Sequence, residues 1–372
     1  MAAPTPILLF VRELHQGGCE RDLTKLALHL DRSRFQPHVG CFYGDGLRAS
    51  ELRDGGLPPV EFPVHSFRSP ALLPHAFALR RYVQKHRIRL VQSFDVPASV
   101  FVTPVVAGAA PVVLTSQLSY RSLVSRPLQW LLRASDRMAT GVVVNCEAMR
   151  RHMIEEGVAP HRVHVCCNGI DTGVFHPGSG QRRAEVHGAS LVIGTVAALR
   201  PEKGLATLLE AFAAARLEDA RLVIIGSGPI LPTLQAHAAA LGLAASTLFI
   251  AATTEVADWL RSIDIFVLPS RSEALSNALM EAMACGCTPV ASNVGGNPEL
   301  VESGQNGLLF PVGDADALRS NLVILAGDPN LRHEWGTRSA ARIREQYSLG
   351  AYVRRMEGLY GDLLAAHDTG RA

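Results

Sequence analysis

Two α/β domains, each built on a parallel sheet and facing the other across a cleft, are predicted by this sequence of 372 residues. Three observations predict them. Short apolar runs alternate with helical patterns from one end of the chain to the other. The runs are continuously apolar, which is how strands covered by helices on both faces of a parallel sheet read. The set of strands is also complete twice over, and the length is comfortable for two domains of ordinary size.

In the first half, Ile7–Val11 reads as a strand, followed by the Gly17-Gly18 turn and a helix around Leu23–Leu30. Further strands are expected at His38–Phe42, Leu90–Ser93, Val112–Thr115, Gly141–Asn145 and Val163–Cys166, with helices between most of them. The stretch NGIDTGVFHPGSG, starting at Asn168, carries the turn-formers of a linker. The rhythm then repeats with strands at Leu191–Val196, Arg221–Ile225, Leu248–Ile250, Ile265–Leu268 and Pro289–Ser292. Helices are expected at Leu205–Ala215, Leu231–Leu241, Glu255–Ser262 and Asn277–Ala284, and the chain beyond Asn321 reads as mainly helical. The domains are therefore placed at 1–172 and 173–345.

A formal net charge of +2 argues against a dedicated nucleic-acid binder, but it hides an asymmetry. Residues 1–176 carry 20 Lys/Arg against 14 Asp/Glu, whereas the remainder carries 16 against 20. A basic N-terminal half suits a surface that meets phosphates or lipid headgroups; ordinary solvated charge is the plainer account. The apolar run near the N-terminus is too short for a signal segment, and no later stretch reaches the length of a spanning helix. The seven cysteines include no C-x-x-C pair, which reads as buried thiols in a reduced compartment. A cytoplasmic protein is expected.

In open parallel sheets, ligands bind beyond the carboxyl ends of the strands. The unusual residues fall there. In LPSRSEALSNALMEAMACGCTPVAS, Leu268–Ser292, a strand gives way to a polar loop and then a helix that stops at Gly286. Glu273 lies in the loop and Glu281 in the helix. Eight residues span about 12 Å of helix, so these carboxylates suit two ends of one long ligand better than one acid–base pair. Backbone N–H groups of Leu275, Ser276 and Asn277 at the helix start suit a phosphate between them. The alternative makes Glu281 a surface residue and Glu273 a loop acid. In GTVAALRPEKG, Gly194–Gly204, Arg200 and Lys203 follow another strand. Cations held there would stabilise the charge of a departing diphosphate, although a solvated surface pair reads the same way. Gly17 and Gly18 permit close approach of a ligand, or make a plain turn. The Gly226-Ser227-Gly228 turn is weaker still. The sole Asp-x-Asp, Asp314-Ala315-Asp316, sits in a late loop, so no acidic pair for Mg²⁺ is expected and the reaction is read as metal-independent, with no cofactor.

Together these segments resemble the retaining glycosyltransferases of family 4, which have the GT-B fold of two Rossmann-like domains. FVRELHQGGCERDL resembles that family's opening Gly-Gly element, VHVCCNGIDTGVFHP its inter-domain segment, and LRPEKG its phosphate loop. SEALSNALMEAMACGCTPVAS resembles its E-x7-E signature, and GGNPELVESGQNGLLFPVGD the stretch that follows. The resemblance implies that Glu281 binds the donor ribose, that Glu273 lies beside the transferred sugar, and that Leu275, Ser276 and Lys203 face the diphosphate. It sets Gln117 and Asn168 on the sugar or acceptor side, and implies that a helix at about 349–364 returns to the first domain. Two departures stand out. The family's Arg five residues before the loop lysine is Ala198 here, leaving Arg200 to replace it or Lys203 to act alone. The family's His at the end of an N-domain strand is Gln117, which donates a hydrogen bond but is no general base.

The implied reaction moves a hexose from a UDP- or GDP-sugar to a glycan or lipid-linked acceptor with retention, the leaving phosphate taking the acceptor's proton. A peripheral membrane contact is expected through the basic stretch Arg68–Arg89, with Arg80, Arg81, Lys85, Arg87 and Arg89, and through Arg121, Arg126, Arg133 and Arg137. A solvated helix face is the alternative. Two other functions fit the same pattern: a nucleotide-sugar 2-epimerase, which Gln117 disfavours, and a non-catalytic nucleotide-sugar-binding module.

Overall fold

A computed structural model describes residues 3–67, 69, 72–178 and 182–370, so that Arg68, Ser179 and Gly180 of the stretches above lie outside the described residues. The chain forms two compact units, residues 1–169 with 349–372, and residues 170–348.

The first unit runs β1 (Thr5–Val11), α1 (Gly18–His29), β2 (Phe35–Cys41), α2 (Leu47–Asp54), β3 (Val60–Glu61), α3 (Leu72–Lys85), β4 (Leu90–Ser93), α4 (Val96–Val106), β5 (Val112–Gln117), α5 (Arg126–Met138), β6 (Gly141–Val144), α6 (Glu147–Glu155) and β7 (Val163–Val165). Its seven strands are parallel in the order β3-β2-β1-β4-β5-β6-β7. The continuous apolar reading of β1 has a direct cause. Ile7, Leu9 and Val11 join one buried cluster, while Leu8 and Phe10 join another, with Phe42, Leu79 and Phe101. Both faces of the strand are covered, so neither parity is polar. β2 begins three residues before the expected His38, through Pro37. Only Gly40 and Cys41 pair with β3, so Pro37 sits where β2 is an edge, and an edge tolerates a missing N–H.

The second unit runs β8 (Leu191–Val196), α7 (Leu205–Ala215), β9 (Ala220–Ile225), α8 (Leu231–Ala240), β10 (Thr247–Ile250), α9 (Val256–Leu260), β11 (Ile265–Leu268), α10 (Asn277–Ala284), β12 (Thr288–Ser292), α11 (Asn297–Leu300), β13 (Leu308–Phe310), α12 (Ala315–Gly327) and α13 (Pro329–Gln346). Its strands are parallel in the order β10-β9-β8-β11-β12-β13. The chain changes units after Gly169, ahead of the expected boundary at 172. Ile170 bridges to Ser348, and its N–H donates to the Tyr347 carbonyl at 2.8 Å, which fixes both in the second unit.

A last helix, α14 (Leu349–Asp368), belongs to the first unit. Tyr352, Val353, Met356, Tyr360 and Leu364 on one side of it join the cluster of Ile7, Phe35 and Leu114. Tyr360 is fully buried, and its hydroxyl donates to the Gln92 side chain in the middle of the sheet. The helix runs on past the expected Leu364 to Asp368, which pairs with Arg89.

Much of the basic charge expected on the surface of this unit is engaged within it. Arg80 donates to the carbonyls of Val105 and Ala107, and Arg89 is held by Asp368. Arg121, only 3% exposed, pairs with Asp136 and Glu156, and Arg133 also pairs with Glu156. Arg81, Lys85, Arg87, Arg126 and Arg137 remain exposed.

Candidate functional site

Each sheet has one place where the chain reverses its direction of winding. Loops leaving adjacent strands there diverge to opposite faces and open a crevice beyond the carboxyl ends. In the second unit that place lies between β8 and β11. The loop after β8 carries Ala198, Arg200 and Lys203; the loop after β11 carries Glu273 and leads into α10. The two strongest sequence segments thus flank the same switch point.

They are joined there. Lys203 Nζ lies 2.6 Å from Glu273 Oε1, with the two side chains 23% and 11% exposed. Ser270 Oγ donates to the same oxygen at 2.7 Å. Behind it, Ser292 Oγ donates to the Ser270 carbonyl at 2.6 Å, and Asn297 Nδ2 donates to the Ser292 carbonyl at 3.0 Å. Ser270, Ser292 and Asn297 are fully buried, so this chain of bonds fixes the loop from beneath. Lys203 ends a 3₁₀ turn over Pro201–Lys203, closed by Gly204 in the left-handed region at φ 63°. A Cβ on Gly204 would lie 2.1 Å from the Pro269 carbonyl oxygen, so this glycine is what lets the two loops meet.

Ser276 caps α10, its hydroxyl accepting the Leu279 N–H at 3.3 Å. Leu275 and Ser276 are buried. Glu281 is 4% exposed, which rules out the solvated-face alternative for that residue. Arg200 is exposed and has no side-chain partner among the described residues, and Ala198 beside it is exposed too.

Three supports had no clear sequence signal. Gly226 and Gly228 follow β9, and a Cβ on either would lie 1.9 Å from the Ala197 carbonyl oxygen or 2.3 Å from that of Leu199. This turn, weak as a motif, is the bed of the Ala198–Lys203 loop. Gly295, at φ 53°, would place a Cβ 1.7 Å from the Glu273 carbonyl oxygen, and the next residue, Gly296, donates its N–H to the Ala274 carbonyl at 2.7 Å. Gly295→Ala should therefore lower the melting free energy of the protein by about 2 kcal/mol, from the left-handed backbone and the displaced loop. Calorimetric melting checks this; an unchanged transition would mean the loop gives way freely.

In the first unit the switch point lies between β1 and β4. Gly17 is the N-terminal cap of α1, at φ −67°, and both it and Gly18 are exposed. A Cβ on Gly17 would lie 2.0 Å from a Glu20 carboxylate oxygen, so room for that side chain, and not a left-handed turn, is what this glycine provides. Asp95, absent from the sequence reading, ties the two loops. Its carboxylate accepts the Arg12 N–H at 2.6 Å and caps α4 through the Ala98 N–H at 2.8 Å. Burial pushes its pKa up to about 6, against those two donors.

Gln117 and Asn168 are both buried. Gln117, expected to face a sugar, is 1% exposed, and its amide donates to Asp136 at 3.3 and 3.4 Å. Asp136 also accepts the Thr115 hydroxyl at 2.6 Å and pairs with Arg121; burial still raises its pKa. Gln117 thus closes a buried polar network. Asn168, 5% exposed, follows β7. Among the described residues no group of three or more His, Cys, Asp and Glu could hold a metal ion.

Two doubly wound parallel sheets, each with its conspicuous residues at the switch point, are the architecture of the GT-B proteins. HepE from Anabaena, solved in complex with UDP, matches 96% of this chain and 100% of its own at a TM-score of 0.84 and 20% identity. Sucrose-phosphate synthase from Thermosynechococcus elongatus matches 97% and 100% at 0.80, also at 20% identity. The family model described as "Glycosyltransferase Family 4" matches residues 16–174, and that described as "Glycosyl transferases group 1" matches residues 181–342. The chain belongs to glycosyltransferase family 4. N-acetyl-alpha-D-glucosaminyl L-malate synthase of Bacillus anthracis is 28% identical over 58% of this chain and 58% of its own. Alpha-maltose-1-phosphate synthase of Mycolicibacterium smegmatis is 31% identical over 59% and 62%. The chain therefore spans about three-fifths of the length of these two relatives.

Proposed function

We propose that this chain is a retaining hexosyltransferase that moves a sugar from a UDP- or GDP-sugar to a glycan or lipid-linked acceptor, without a metal ion. The observation that carries the reading is the contact of Lys203 with Glu273 at the switch point, beside the capped end of α10. HepE, whose solved complexes include UDP-glucose, supports a nucleotide-sugar donor. In this reading the diphosphate lies at Leu275, Ser276 and Asn277 and takes Lys203 as its counter-ion, with Arg200 at the mouth. Glu273 then faces the transferred sugar and Glu281 holds the ribose hydroxyls. The leaving phosphate, stabilised by cations held in place beforehand, takes the acceptor's proton.

Incubation with a panel of UDP-, GDP- and ADP-sugars tests this, read by nucleotide release and by analysis of the sugar. Acceptor-dependent release is expected. Isomerised donor without release would make the chain an epimerase, and binding without turnover would make it a sensor. For Glu281→Gln, donor KM should rise more than kcat falls, because a ribose contact is the same in the ground and transition states. The reverse pattern would remove the ribose assignment.

For the acceptor, the proposed surface is the outer side of α3 and α5, both packed on α4. Phe77 and Trp130 are 71% and 67% exposed there, with Arg81, Arg126 and Arg137 also exposed. Aromatic side chains among cations suit an anionic bilayer surface. No helix among the described residues is long and apolar enough to cross a membrane. The chain is proposed to work in the cytoplasm, at the inner face of the membrane. Phosphatidylglycerol vesicles should sediment the protein at low salt, and Trp130→Ala should reduce the bound fraction several-fold. Equal recovery with neutral vesicles would leave the acceptor a soluble glycan.

A further inference from the structure

The second unit has a large pocket that the transfer reaction leaves unused. We propose that it is a site for a small organic phosphate, separate from the candidate donor loops and independent of the transfer reading. Its volume is about 740 Å³, within the range of small-molecule sites. Ile263 and Asp264 precede β11, and Cys285 and Gly286 precede β12, so the floor is the amino-terminal edge of the sheet. Lys203 and Glu273 follow the carboxyl ends of β8 and β11, at the opposite edge.

One wall is a face of α13. Thr337, Ala340 and Ala341 make a strip of small side chains, with Arg332 and His333 at one end and Arg344 at the other. The ends are about 16 Å apart at the helical rise. Phe175 lines the pocket from the segment that enters the unit.

The charge of this pocket is not balanced. Arg332 donates to the carbonyls of Leu325 at 2.5 Å and Ala326 at 3.0 Å, which hold the guanidinium in place without cancelling its charge. Arg344 is exposed and forms no ion pair among the described residues. Arg261 is oriented by the Val174 carbonyl at 3.1 Å and shares its charge with Asp258. The one carboxylate among the lining residues, Asp264, is already engaged. It takes two hydrogen bonds from Arg182, at 2.9 and 2.7 Å, and one from the Val192 N–H at 2.8 Å. Guanidinium groups fixed by neutral acceptors are prepared for an oxyanion. The strip of alanines beside them, with Phe175, suits an apolar or flat body. A phosphate at the Arg332 end, with its organic group along Ala340 and Ala341, meets both conditions.

The test is titration of the full chain with phenyl phosphate, followed by calorimetry, with inorganic phosphate and benzyl alcohol as separate arms. Phenyl phosphate should bind, and tighter than either of the other two. Ala340→Trp, which fills the strip, should abolish binding. Arg332→Gln, which removes the charge at the phosphate end but keeps an amide to donate, should weaken it about tenfold, and a parent-like melting temperature keeps the test decisive if the tryptophan variant folds poorly. Lys203→Ala should leave it unchanged. The proposal is overturned if phenyl phosphate fails to bind at millimolar concentration, or if inorganic phosphate binds as well. It is equally overturned if binding survives Arg332→Gln at full strength or is lost with Lys203→Ala, which would move the anion to the donor loops.

Discussion

Lys203→Ala should slow sugar transfer by a factor on the order of 10²–10³ in kcat, equivalent to about 3–4 kcal/mol, the cost of removing one donor aimed at developing charge. The structure shows why the loss should fall on turnover. Lys203 is positioned by the turn over Pro201–Lys203 and by the close approach that Gly204 allows, so its charge is in place before any donor arrives. A cation fixed beforehand contributes more than one that must be drawn in during reaction. The variant also frees Glu273, which keeps its Ser270 bond. Its melting temperature should stay near that of the parent, since the pair is partly exposed and such pairs contribute little to stability. Turnover like the parent's on a working donor would take Lys203 out of the chemistry.

The second large effect is expected far from those loops. Arg121→Ala should destabilise the first unit by about 3–5 kcal/mol, because it leaves Asp136 buried without its counter-charge. The Thr115 hydroxyl and the Gln117 amide would remain as donors, too few to hold a carboxylate ionised at 2% exposure. Asp136 already has its pKa raised by burial, and losing Arg121, which opposes that rise, lifts it further. A group whose folded pKa stands above its unfolded value favours the fold at low pH and loses that contribution as pH rises. The deficit of the variant should accordingly shrink on going from pH 8 to pH 5. Denaturant unfolding across that range measures it, with hydrogen exchange at β5 to locate the loss. A deficit independent of pH would mean that Asp136 is not left charged.

The strands were legible because burial on both faces leaves a continuous apolar run, as in β1, β6 and β11. β3 and β13 were not, since two or three residues at a sheet edge make no run. The order of apolar runs also located the residues beyond the strand ends. It could not show that Lys203 and Glu273, 70 residues apart in sequence, touch, or that Gly295 supports Glu273 through its backbone. Those facts follow from adjacency of β8 with β11 and of β11 with β12, which local pattern does not encode. The arginines illustrate the opposite failure. Residue type gave the sign of charge in the first half, but Arg121 and Arg133 are committed to Asp136 and Glu156 within it. A sum over sequence counts them as surface.

The last helix imposes an order on biosynthesis. A ribosome delivers β1 to β7 early, yet the apolar side of that sheet, covered in part by α1 and α2, is not fully covered until Tyr352, Met356 and Tyr360 emerge, after the whole of the other unit. The half begun first is therefore completed last. Until then the nascent sheet shows Phe35 and Leu114 to its surroundings, and chaperones have most to shield there.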